Sequence, residues 1–113
     1  MLKMILKYKN KKIGISAKNV SFLGKFTGLM FRTKNTSNLI FKFNKKNLLA
    51  IHSCFVFFDF LAVWLDDENN VLDFKMVNPF RIHVCSKKPF TKLLEVPINK
   101  NNEEIIEFFV GKR

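Results

Sequence analysis

The sequence predicts a mainly β domain of the α+β class. It is a compact, barrel-like mixed sheet of about seven to nine short strands with one short helix near residues 19–31. Three observations predict it. Apolar runs rich in β-branched and aromatic residues recur at short spacing, over 39–43, 48–57, 60–65, 71–77, 80–85, 91–96 and 103–110. Polar or Pro-containing stretches such as Asp66 to Asn70, Asn78-Pro79 and Ser86 to Pro89 divide them. Finally, 48% of the 113 residues are hydrophobic and 14 are Phe. That is enough for one core in a single domain over 1–113, and it excludes a disordered basic tail.

The first element is a half-buried strand. Leu2, Met4, Leu6 and Tyr8 alternate with Lys3, Lys7 and Lys9, the period of two that a one-sided strand needs. Asn10-Lys11-Lys12 then turns the chain into a short strand around Ile13 and Ile15. Phe22, Phe26 and Leu29 follow helical spacing and mark the helix, which Gly24 and Gly28 weaken. Thr33 to Asn38 is a polar loop before the strand runs begin.

Leu48 to Leu65 is a nearly continuous apolar segment, with Lys42, Lys45 and Lys46 before it and Asp66, Asp67 and Glu68 after it. The flanks resemble those of a membrane span. Asp59 lies deep inside, where a carboxylate costs about 2.5–3.5 kcal/mol in a bilayer. Two buried strands bent near Asp59 fit the Phe, Val and Trp content better than a span. The N-terminus has no continuous apolar stretch of the signal-peptide kind, so the expected location is the cytoplasm.

Charge is one-sided. Residues 1–58 hold 12 basic residues and no carboxylate, within a chain of net charge +11. Such a surface attracts an anionic ligand or nucleic acid. Lys7-Tyr8-Lys9 and Phe41-Lys42-Phe43 interleave aromatics with lysine on strands, and Lys7, Lys9, Lys42, Lys45 and Lys46 form the nucleic-acid candidate set. Only 3 of the 20 basic residues are Arg, which disfavours base-edge readout. Amphipathic alternation also explains Phe41-Lys42-Phe43 without any ligand.

Two His-x-Cys pairs, His52–Cys54 and His83–Cys85, each put two metal-competent side chains on one face of a strand. Brought together they would make a Cys2His2 set, and zinc is the cofactor it would take. No other cofactor is expected. Neither the spacing nor a Gly-rich loop matches a known zinc or phosphate module. No arrangement of nucleophile, base and orienting group is evident, so no catalytic residue is assigned. Glu95, between Leu94 and Val96, needs a partner if it points inward, and Arg32 or Arg81 could serve.

Several stretches, taken in order, carry a resemblance to a family. Gly28-Leu29-Met30-Phe31-Arg32, Leu39 to Phe43, Ile51-His52-Ser53-Cys54-Phe55, Trp64-Leu65-Asp66, Asn78-Pro79-Phe80-Arg81 and Leu93-Leu94-Glu95-Val96-Pro97 resemble the motifs of the family called domain of unknown function 192. The chain resembles a divergent, archaeal-type member. Departures are clear: Phe57 stands where the family pattern has Arg, and Leu61 where it has Asp. The resemblance implies a compact strand-rich domain with one helix, and no settled activity. The expected function is a non-catalytic ligand-binding or interaction module, with a pocket formed by Arg32, His52, Ser53 and Glu95. A nucleic-acid-binding protein, and a metal protein or enzyme built on the His-x-Cys strands, are the alternatives.

Overall fold

A computed structural model describes residues 1–20, 32–51, 53 and 56–111. Six strands are present among them: β1 (Leu2–Tyr8), β2 (Lys11–Asn19), β3 (Leu39–Asn47), β4 (Phe60–Leu65), β5 (Val71–Val77) and β6 (Phe90–Pro97). A 3-10 turn at Lys100–Asn102 leads into helix α1 (Glu103–Val110). The strands form one mixed sheet in the order β1-β2-β3-β6-β4-β5. Among the described residues, the one parallel ladder joins β2 and β3, through Lys18 with Leu39 and Asn19 with Ile40.

The first hairpin follows from its turn. Tyr8 pairs with Lys11, and the two residues between them, Lys9 and Asn10, both have positive φ (48° and 65°). A two-residue turn with that handedness matches the twist of the strands it joins. The alternation of β1 then puts Met4 and Leu6 inside and leaves Lys3, Ile5 and Lys7 exposed.

The sheet curls until its ends meet. Lys7 pairs with Asn70 at the start of β5, and the Lys7 amide donates to the Asn69 carbonyl at 3.0 Å. Tyr8 packs edge-on against Phe74 across this seam, with ring centroids 5.6 Å apart. The concave face holds one core, including Leu6, Ile15, Ile40, Val63, Leu94 and Val96. Helix α1 plugs it with Ile105 and Phe109. The convex face carries the second core: Leu39, Phe41, Phe60, Trp64, Leu93 and Phe90, with Val56 and Val84 laid over it. All six residues of β4 are buried because both faces of this inner strand are covered, which removes any polar alternation.

The fold class is the expected one, and three details differ. The described strands number six, fewer than about seven to nine. The runs 48–57 and 80–85 are not ladders; they meet in one bridge, in which Ile51 and Val84 exchange hydrogen bonds of 2.8 and 2.9 Å. The run 103–110 is helical rather than extended. Ile105, Ile106 and Phe109 share one face at helical spacing, Glu103 and Glu104 suit the positive N-terminal end, and the Asn99 side chain accepts from the Asn102 amide just before it. Of the helix expected near 19–31, Asn19 instead ends β2, and residues 21–31 lie outside the described residues. Of Leu48 to Leu65, Phe60–Leu65 forms β4, and no helix among the described residues is long and apolar enough to cross a membrane.

Candidate functional site

Glu95 sits in the middle of β6, directly opposite Leu39 of β3 on one side and Ala62 of β4 on the other. Both neighbours belong to the convex-face core, so strand alternation points the carboxyl into that core. The residue is 5% exposed, and among the described residues Oε1 has no hydrogen-bond partner. Burial pushes the carboxyl up to about 8, so the neutral acid is the main form at neutral pH. Trp64 pairs with Leu93, two residues along from the Ala62–Glu95 pair and on the same face. Its indole Nε1 is also buried without a partner among the described residues. A donor and an acceptor, each desolvated and unsatisfied, thus share one patch of sheet.

Ser53 is fully buried and completely engaged. Its hydroxyl donates to the Asn78 carbonyl and accepts from the Arg81 amide, both at 2.6 Å. Its own amide donates to the Arg81 carbonyl, and its carbonyl accepts from Phe80 and Val56. These bonds seat the 78–81 loop, in which Phe80 adopts a positive φ of 61°. Ile51 and Val56, flanking Ser53, pack onto the face that holds Glu95. Arg32 is exposed on the loop before β3, with Nη1 3.4 Å from the Thr36 hydroxyl. His52 lies outside the described residues.

The metal set is half described. Cys85 Sγ lies 3.3 Å from His83 Nδ1, and Cys85 is a free, half-buried cysteine. His52 and Cys54 lie outside the described residues, among which no group of three or more metal-ligating side chains is found.

The lysine set disperses. Lys7 and Lys42 line one cleft. Lys9 instead lies over the Tyr8 ring, 5.2 Å from its centroid. Lys46 borders a separate hollow with Asp66, Asp67 and Glu68, which offset its charge. Lys45 is exposed at the end of β3. Sequence reasoning missed Trp64, Lys3 and Lys92 as members of polar sites. The β4–β6 and β3–β6 registers place Trp64 and Lys92, and the β1–β2 pairing places Lys3.

The architecture defines a small curled-sheet domain closed by a C-terminal helix. The chain belongs to the DUF192 family, described as an uncharacterized ACR, whose pattern matches residues 7–107. It is similar to a UPF0127 protein of Thermococcus gammatolerans, 32% identical over 80 residues. That match covers 69% of this chain and 52% of the relative, so the chain spans about half the relative's length. A protein of unknown function from Novosphingobium aromaticivorans shares the fold with a TM-score of 0.72 at 13% identity, over 89% of this chain and 74% of the other. So does a putative transcription regulator from Sinorhizobium meliloti, with a TM-score of 0.73 at 11% identity, over 89% and 81%.

Proposed function

We propose that the domain is a non-catalytic binding module whose ligand hydrogen-bonds to Glu95, with Arg32 and His52 as further ligand contacts and Ser53 anchoring the neighbouring loop. The observation that carries this reading is the buried Glu95 Oε1 near the buried Trp64 Nε1, neither with a hydrogen-bond partner among the described residues. An unsatisfied buried polar atom costs roughly 1–3 kcal/mol, and a ligand group that both donates and accepts would remove that cost at both atoms. A protonated Glu95 also donates, so the favoured ligand is a small uncharged molecule bearing an amide or hydroxyl. A charged ligand would need a counter-charge at this patch.

Titration of the 15N-labelled protein with small neutral amides tests this, read at the amides of Leu39, Ala62 and Glu95. Saturable shifts there, weakened by Glu95→Leu and by Arg32→Ala or His52→Ala in folded protein, are expected. Absence of any saturable shift, or unfolding by the Arg32 and His52 variants, overturns it.

A further inference from the structure

A second polar feature lies on the opposite side of the sheet. β2 leaves β3 after two paired residues, and the parting strands open a cleft of about 810 Å³. That volume falls in the range of small-molecule sites. Four lysines line it: Lys3 and Lys7 of β1, Lys42 of β3 and Lys92 of β6. Glu68 is the single carboxylate on its lining among the described residues.

Lys42 and Lys92 are the centre of the argument. They stand directly opposite each other across the β3–β6 ladder. They lie two residues on from the paired core residues Ile40 and Leu94, so both belong to the concave face at its mouth. Like charges directly opposite on neighbouring strands destabilise a sheet. The partners that hold Lys92 are the Asn69 side-chain oxygen at 2.8 Å and the Asp67 carbonyl at 3.3 Å. These neutral acceptors orient the ammonium without cancelling its charge. Beside the lysines the wall is apolar, from Leu2, Ile5 and Ile15. Ile5 is 55% exposed, and the space above its cross-strand partner Gly14 is open. The cleft therefore joins a compact cationic end to a flat apolar end. Lysine ammonium groups bind phosphate as point charges.

We propose that this cleft binds a phosphorylated small molecule with an apolar or aromatic body, of about mononucleotide size, its phosphate between Lys42 and Lys92. The site is separate from the Glu95 patch, which lies on the other face of the sheet.

The probes are adenosine monophosphate, inorganic phosphate and a single-stranded oligonucleotide, each titrated into the 15N-labelled chain. Adenosine monophosphate should give saturable shifts at Ile5, Gly14, Lys42, Asn69 and Lys92, and phosphate a weaker subset around the two opposed lysines. Lys42→Met and Lys92→Met should each lower the affinity by about tenfold, or about 1.4 kcal/mol, through loss of one charged contact to the phosphate. Lys42→Met changes an exposed side chain, so it reports even if Lys92→Met perturbs folding. Unchanged affinity in Lys42→Met overturns the proposal, as does a lack of saturable shifts with both small probes. An oligonucleotide that shifts Lys9 and Lys45 as strongly as the cleft, with tight binding where adenosine monophosphate has none, also overturns it in favour of an extended nucleic-acid surface.

Discussion

Trp64 and Glu95 stand on one face of the sheet, on adjacent strands and offset by two residues in register, and neither Trp64 Nε1 nor Glu95 Oε1 has a hydrogen-bond partner among the described residues. β4 and β6 are inner strands, so water cannot reach either group from the sheet edge. Both atoms could be removed by apolar substitution at little cost to packing. Their presence among the apolar residues of this cluster gives the convex face its chemical character.

The Glu95 carboxyl sets the first prediction. Its pKa is raised from 4.5 to about 8 by burial, so the folded chain holds a proton that the unfolded chain has released. Its contribution to stability is full below about pH 4.5 and is lost as the pH rises to about 8. The slope is on the order of 1 kcal/mol per pH unit. Urea denaturation across this window should show the decline in the native chain. Glu95→Gln, which cannot ionise, should flatten it, and an unchanged slope in that variant would place the titration elsewhere.

The second concerns Ser53. Ser53→Ala leaves the part-buried Arg81 amide and Asn78 carbonyl without the hydroxyl that now serves both. A loss of about 2 kcal/mol is expected in thermal or denaturant unfolding. Amide exchange should rise first over residues 78–84, because the Ile51–Val84 bridge lies next to the lost contact. A loss below ~0.5 kcal/mol, the size of an ordinary surface substitution, would contradict this.

The third lies in the β4–β5 turn. Asp66 Oδ1 accepts from the Glu68 and Asn70 amides, and Oδ2 from the Asn70 side chain. Burial alone raises its pKa, but the hydrogen bonds from Asn70 and Glu68 and the charge of Lys7 outweigh burial and lower it below 3.8. The turn is thus supported above that value and weakened as the pH falls through the depressed pKa. Asp66→Ala should cost about 1 kcal/mol at neutral pH, since the turn is largely exposed. Asp66→Asn, which keeps an acceptor oxygen, should cost less. Equal losses in the two variants would rule out the hydrogen-bond explanation.

Much of the fold was legible from residue order. The period-two pattern of Leu2 to Tyr8 placed β1 and its buried face, and the apolar runs 39–43, 60–65, 71–77 and 91–96 fall within β3, β4, β5 and β6. The run 103–110 was not legible. Eight residues with apolar pairs at 105–106 and 108–109 suit a strand or a helix, and docking of Ile105 and Phe109 into the concave core decides for the helix. The site was half legible. Glu95 drew notice as a carboxylate in an apolar run, but alternation could not say which face it took. Ser53 reads as a polar motif residue in the sequence and acts as a backbone anchor in the fold.

What the sequence by itself determined is local and compositional: the β class, the alternation that gives β1 and β2 their inner faces, the basic first 58 residues and the family membership carried by ordered motifs. Only the tertiary structure decided which residues meet. Lys42 and Lys92 are 50 positions apart in the numbering. Strand register alone sets the two lysines face to face. It likewise sets Trp64 two residues in register from Glu95. The physical reason is that a strand's pattern specifies which face each side chain takes, whereas the partner strand and its register depend on how the whole sheet closes around its two cores.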